Sequence, residues 1–240
     1  LGRMKKKVQL CLFAMGMTVL FIILQYDFSE KDSWKPWNLP LSGKVIMIDP
    51  GHGGVDPGAG DKKTREKEIA LEVSLKLRDY LQEQGAIVVM TRETDVDLAD
   101  KDLKGYSKRK IQDLQRRLAL VNTSEADFFV SIHLNAIPSQ KWRGAQTFYT
   151  DNYKDSKRAA TLIQSELRRN LENTNRKAKE INNVYLLKHA EKPGALVEVG
   201  FLSNPSEKRL LKTDSYQDKI AASIYEGILR YYTGERKYWN

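Results

Sequence analysis

The sequence predicts an α/β domain built on a single mostly parallel or mixed twisted sheet of about six strands, with helices on both faces, preceded by an N-terminal apolar helix. Three observations predict it. From Lys44 onward, short apolar runs alternate with longer segments of helical spacing, the pattern of strands joined by crossover helices. The runs are continuous rather than alternately apolar and polar, as expected of strands covered on both faces. And 240 residues with 41% hydrophobic content supply the apolar surface of one good-sized domain.

The elements follow in chain order. Residues 8–24, "VQLCLFAMGMTVLFIIL", run seventeen positions without a charge behind the lysines of "MKKK". As a helix this segment spans roughly 25 Å, near the short limit for crossing a bilayer. Lysines on its N-terminal side would stay inside while the rest is carried across. No small-x-small cleavage site follows, so residues 1–26 are expected to be an uncleaved signal-anchor and the remainder to be exported. Residues 27–43, "DFSEKDSWKPWNLPLSG", are polar and proline-bearing and read as a linker or stalk. The folded domain is expected over 44–240. Its first strand is "KVIMID", and a helix follows over 66–85, ending at Gly85. "AIVVMTR" is the second strand, 95–110 a charged loop containing Gly105, and 111–123 a helix. "DFFVSIH" and "GAQTFYT" are the next strands, and 154–172 is a helix with heavy charge on one face. "NVYLL" and "ALVEVGFL" read as short strands, and 215–232 as the closing amphipathic helix.

Composition excludes some chemistry. The formal charge of +9 owes much to Arg3, Lys5, Lys6 and Lys7, and no acid precedes Asp27. The rest is mildly basic with scattered charges, and no basic helix interleaved with aromatics occurs, which argues against nucleic acid. The single cysteine, Cys11, lies in the apolar segment. The exported part therefore has no disulfide, no thiolate metal ligand and no cysteine nucleophile.

What remains stands at strand ends, where functional groups of α/β sheets gather. The first strand ends at Asp49 and delivers His52 into the glycine-rich "GHGGVDPGAG". The third ends in His133, and "ALVEVG" carries Glu198 among apolar neighbours. In helix 66–85, Ile69, Ala70, Val73, Leu77, Tyr80 and Leu81 form one stripe with Glu66 at its centre, whereas Glu68 falls with Glu72 and Asp79 on the solvent face. Glu66 thus points inward at a helix start, as a ligand, a capping carboxylate or half of a buried ion pair. Two histidines and a carboxylate are a common zinc set, with a fourth position left for water. His189, in "KHAEKPG", is expected in an exposed loop. The glycine loop matches no phosphate-binding pattern; its glycines let backbone pass close to His52.

"IDPGHGGVDPGAG", "EKEIAL", "VSIHLNA" and "GALVEVGFLSNPSE", in that order, resemble the zinc-dependent N-acetylmuramoyl-L-alanine amidases of bacterial cell walls, the amidase-3 type. The likeness spans residues 44–232. The anchor, the stalk and "SIHLNAIPSQKW" are most similar to the family's germination-specific members in spore formers. Leu134 stands where the family often has alanine, a small departure. The resemblance implies that His52, Glu66 and His133 hold one Zn2+ and that Glu198 is the catalytic glutamate, moving a proton from water to the leaving alanine nitrogen. It implies hydrolysis of the amide between the lactyl group of muramic acid and L-alanine in peptidoglycan. It further implies a place in the cell wall or spore cortex, a partner protein that activates the enzyme, and a downstream deacetylase that converts the exposed muramic acid to its δ-lactam. The charged stretch 95–110 reads by default as a solvated loop, and is the place where a regulatory or partner surface is expected. Two other functions fit parts of the pattern: a zinc peptidase cutting within the stem, and a non-catalytic peptidoglycan-binding module. A buried arginine such as Arg92 or Arg117 paired with Glu198 would give that glutamate a merely structural role.

Overall fold

A computed structural model describes the backbone of residues 2–30 and 39–234 and the side chains of 4–22 and 39–234. Helix α1, Gly2–Glu30, contains the apolar segment, and its described apolar side chains, Leu10 and Phe13 among them, are exposed. Among the described residues no helix is long and apolar enough to cross a membrane. The side chains of 23–30, residues 31–38 of the expected stalk and residues 235–240 of the expected domain lie outside the described residues.

One compact unit runs from Leu39 onward. Leu41, expected in the stalk, is completely buried, and its N–H donates to the Gln84 carbonyl at 3.0 Å. A leucine and a backbone bond carry this turn into the core, and they outweigh the polar and proline residues before it.

Six strands form the main sheet: β1 (Val45–Pro50), β4 (Ile87–Met90), β5 (Phe128–Asn135), β6 (Gln146–Tyr149), β7 (Lys179–Glu180) and β8 (Gly194–Phe201). Their order is β4-β1-β5-β8-β6-β7. The pairs from β4 through β8 are parallel, β8–β6 is antiparallel, and β6–β7 is again parallel. Two further strands, β2 (Gly60–Asp61) and β3 (Thr64–Arg65), make a small hairpin.

Helices cover both faces, because alternate residues of each central strand point to opposite sides. Ile46 and Ile48 of β1 and Phe128, Val130 and Ile132 of β5 pack with α2 (Glu66–Glu83), α4 (Lys154–Leu171) and α7 (Asp214–Thr233). On the other face Met47, Phe129 and Leu196 pack with α3 (Tyr106–Thr123) and α5 (Tyr185–His189).

Three expectations are corrected. "NVYLL" is not a strand: its residues enter α5, whose turns close through Lys188 N–H to Val184 O and Ala190 N–H to Leu186 O. The adjacent Leu186 and Leu187 are both buried; a strand would send them to opposite faces, whereas a helix brings both inward. The sixth strand is β7 instead. α3 starts at Tyr106, so the end of the expected 95–110 loop is helical. His189 is exposed as expected, but on the last turn of α5 beside Tyr185, ring centroids 4.8 Å apart. A short helix α6, Pro205–Leu211, is capped by Asn204, whose side chain accepts from the N–H groups of Ser206 and Glu207.

Candidate metal centre

The site forms where β1, β5 and β8 end. β1 and β5 are paired, which sets Asp49 beside Ser131; β5 and β8 are paired with His133 opposite Glu198. Two residues of loop beyond β1 stands His52, in the left-handed region at φ +58°. Glu66 is the first residue of α2. No side chain caps that helix; the loop does so instead, through Glu66 N–H to Ala59 O at 2.9 Å and Lys67 N–H to Pro57 O at 3.3 Å. The glycine loop thereby fixes both His52 and the helix end that carries Glu66.

The three expected ligands meet. Glu66 Oε2 is 3.1 Å from His52 Nε2, and Glu66 Oε1 is 3.0 Å from His133 Nδ1. One ligand atom from each of the three lies within 4.8 Å of the others, a spacing that can hold a metal ion. The Ala59 N–H donates to Glu66 Oε2 at 2.7 Å and the Leu134 N–H to Oε1 at 2.9 Å. Glu68 is exposed, as the helical stripe requires.

Glycines give this cluster its room. A Cβ on Gly51 would lie 2.5 Å from the His133 ring, and one on Gly58 would lie 2.6 Å from Glu66 Oε2 and 2.7 Å from the His52 ring.

Charge reinforces the geometry. Burial alone would lower the His52 pKa, but hydrogen bonds to Asp56 and Glu66, with their charges, raise it to about 9. Burial alone would raise Glu66; bonds to His133 and His52 outweigh it and hold the carboxyl well below the usual range. The cluster is thus built to hold positive charge, whether as protons or as a metal ion. Its donors fit zinc: two imidazole nitrogens and a carboxylate form one of the three-ligand sets of catalytic zinc.

Unlike Glu66, Glu198 makes no ion pair among the described residues; the charges of His133 and His52 act on it without offsetting its burial. Its Oε2 is shut off from solvent and has no hydrogen-bond partner among the described residues, and burial pushes its pKa up to about 7. Neither arginine suspected as its partner pairs with it. Arg92 donates to the carbonyls of Pro50, Gly51, Lys67 and Thr94. Arg117 pairs with Asp49 at 2.7 Å and Asp113 at 2.8 Å, and also donates to the carbonyls of Pro50 and His52. Asp49 is therefore a buried brace. A cavity of about 290 Å³ adjoins the centre, lined by His52, His133, Lys110, Asn183, Tyr185 and Leu196 among others.

Sequence reasoning missed Asp56, whose Oδ2 lies 2.8 Å from His52 Nδ1. The signal available was a carboxylate four residues beyond a candidate ligand, ahead of a Pro-Gly turn. The acids of 95–110 are mostly taken up nearby: Asp95 binds Lys67 and the Gly54 N–H, Asp97 binds Arg109, and Asp100 binds Arg116.

Three ligand-type side chains around one point, with a buried glutamate paired in register with one of them at the carboxyl ends of a sheet, define the class as a metallohydrolase candidate. The sequence profile of the N-acetylmuramoyl-L-alanine amidase family, Amidase_3, matches residues 46–230, and the chain belongs to that family as an N-acetylmuramoyl-L-alanine amidase. It is 60% identical over 230 residues to the germination-specific N-acetylmuramoyl-L-alanine amidase of Bacillus subtilis, covering 96% of this chain and 97% of that protein. Its fold is similar to the CwlD amidase of Clostridioides difficile, solved in complex with the GerS lipoprotein, at a TM-score of 0.76 and 44% identity over 78% of this chain and 98% of that one. A second N-acetylmuramoyl-L-alanine amidase, from Clostridium difficile 630, superposes at a TM-score of 0.70 with 33% identity, covering 80% and 98% of the two chains.

Proposed function

We propose that this amidase uses zinc held by His52, Glu66 and His133, with Glu198 as the catalytic residue. It would hydrolyse the amide between the lactyl group of N-acetylmuramic acid and L-alanine, removing stem peptides from spore-cortex peptidoglycan before muramic δ-lactam forms. The observation that carries this is the unpartnered Glu198 Oε2 on the residue paired in register with His133. A carboxyl raised to about 7 is poised to take a proton and return it near neutral pH.

Bound at the cluster, zinc would supply Lewis acidity, making water acidic near neutral pH and drawing charge from the amide oxygen. Glu198 Oε2 takes the proton of the attacking water and delivers it to the alanine nitrogen as the C–N bond breaks. His52, Glu66 and His133 hold their donor atoms toward one point, and the adjoining cavity offers space for one side of the scissile amide.

The 60% identity to a germination-specific amidase supports the cortex role and export. A relative solved with a lipoprotein supports an activating partner for this chain. Residues 1–26, with their lysine-flanked apolar stretch, would anchor the enzyme, residues 27–43 would contain the stalk, and 44–240 the catalytic domain, its packed part reaching back to Leu39. A deacetylase acting on the exposed muramic acid would follow it in sequence.

The test is digestion of purified peptidoglycan with product analysis by mass spectrometry, before and after chelation. Free intact stems, lost on chelation and restored by zinc, are expected; shortened stems still attached to sugar would point to a peptidase, and no release to a binding module. Glu198→Gln should keep its zinc and lose on the order of 10²–10⁴-fold in rate. Full activity in that variant would reject the assignment.

A further inference from the structure

Asp56 takes no part in the proton transfers above, yet its carboxylate has four partners, as many as Glu66 at the centre itself. Its Oδ2 lies 2.8 Å from His52 Nδ1 and 3.1 Å from the Lys110 ammonium. Its Oδ1 accepts from the Tyr106 hydroxyl at 2.8 Å and from the Gly58 N–H at 3.1 Å. We propose that Asp56, held by Tyr106 and Lys110 of α3, is a positioning residue that keeps a proton on His52 Nδ1 and turns the Nε2 lone pair toward the point shared with Glu66 and His133. This rests on reading that point as a metal centre.

The local chain explains how the carboxylate arrives there. A tight reversal, closed by Gly53 N–H to Asp56 O at 3.1 Å and Asp56 N–H to Gly53 O at 3.0 Å, folds residue 56 back beside residue 52. The His52 main chain is held separately, its carbonyl accepting from Arg117 at 2.5 Å. What the backbone leaves open is rotation of the imidazole and the choice of nitrogen that carries hydrogen. A carboxylate on Nδ1 settles both, because an ionised carboxylate only accepts and so requires N–H at that position. The other nitrogen, Nε2, then carries the free lone pair, and it is the one facing Glu66. Outer hydrogen bonds of this kind orient a ligand and raise its basicity.

All four groups around Asp56 are donors, and this makes asparagine an informative replacement. Its amide has one oxygen and one NH2. If the NH2 faces His52 and Lys110, the imidazole must accept at Nδ1 and place its hydrogen on Nε2, which blocks coordination. If the NH2 turns the other way, it opposes the Gly58 N–H, which cannot become an acceptor. Neither orientation reproduces the native set.

The experiment is zinc titration of the full chain against a chromophoric chelator, for the parent and for Asp56→Asn, Tyr106→Phe and Lys110→Gln. The visible spectrum of Co2+-loaded protein and the melting temperature of the metal-free protein are recorded alongside. Asp56→Asn is expected to bind zinc about 10–100-fold more weakly and to shift the cobalt bands. Tyr106→Phe and Lys110→Gln, which leave the carboxylate but remove one of its holders, should each weaken binding by a smaller factor. Parent-like affinity in Asp56→Asn, with or without a lowered metal-free melting temperature, overturns the proposal, since Asp56 would then be structural only. Should Asp56→Asn not fold, parent-like affinity in both α3 variants overturns it as well. A parent that binds no zinc defeats the metal reading itself, and this proposal with it; a zinc-binding parent with unaffected variants defeats this proposal alone.

Discussion

Glu66 and Glu68 stand two positions apart on one helix and face opposite environments. Glu66 is 3% exposed and bridges two histidines; Glu68 faces water and lies 3.6 Å from the Arg65 guanidinium. Glu66→Gln should therefore lose more zinc affinity than the roughly 10–100-fold attributed to losing an outer hydrogen bond. Glu68→Gln should leave affinity unchanged and stability within about 0.5 kcal/mol, because an exposed pair contributes little. Calorimetric zinc titration and urea unfolding of both variants check this; equal affinities would mean that Glu66 is only part of a buried ion pair with the two histidines. This distinction was legible in the sequence because a helix has a period, and the apolar stripe from Ile69 to Leu81 decides which carboxylate points inward. Glu198 was legible for a related reason, as a lone charge inside a run whose neighbours are all apolar. Asp56 was not. It belongs to a loop without period, and the hydroxyl and ammonium that hold it come from α3, far along the chain.

At the scale of elements, length separates what could be read from what could not. α2, α4 and α7 have several turns each, and their apolar stripes place both ends within about two residues, as is usual for helix boundaries. β2, β3 and β7 have two residues each, too few for any period, and their positions come from neighbours rather than from their own composition. α5 shows the ambiguity of a short apolar run: β-branched and aromatic residues argue for a strand, and the demands of the second core decide otherwise. Leu187 is 2% exposed, whereas Tyr185 in the same helix is 38% exposed. Leu187→Ala is expected to destabilise the domain by about 2–5 kcal/mol. Tyr185→Ala should cost clearly less, because less of its surface leaves water on folding. Urea unfolding should show the midpoint of Leu187→Ala falling at unchanged slope. A Leu187→Ala midpoint equal to the parent's would remove α5 from the core that supports β1 and β8 below the site.

Across the whole molecule, one buried ion pair ties the sheet, a helix and the site loop together. Asp49 on β1 accepts from Ser131 of β5 at 2.6 Å, from Thr91 beyond β4 at 2.7 Å, and from Arg117 of α3 at 2.7 Å. Arg117 in turn grips the carbonyls of Pro50 and His52, so the loop that aims His52 hangs on the same pair. Burial alone would raise the Asp49 carboxyl; the Arg117 charge and the two hydroxyl bonds outweigh it and bring its pKa from 3.8 to about 2. A carboxyl depressed on folding stabilises the native state above its unfolded pKa, and that stabilisation is lost as the pH falls through the folded value. At about 1.4 kcal/mol per unit, the contribution is about 2 kcal/mol at neutral pH, and about half of it is gone by about pH 3. Asp49→Asn cannot titrate, and it should be less stable than the parent by a few kcal/mol at pH 7, because removing one partner of a buried pair leaves the other charge poorly compensated. The gap between parent and variant should then narrow by about 1 kcal/mol between about pH 5 and about pH 3, measured by urea unfolding at each pH. A gap that widens towards pH 3 would mean that Asp49 carries its proton in the folded protein, and the brace beneath His52 would have to be neutral hydrogen bonding rather than charge; a constant gap would mean that folding leaves the carboxyl's affinity for its proton unchanged, and it would equally reject the charged brace.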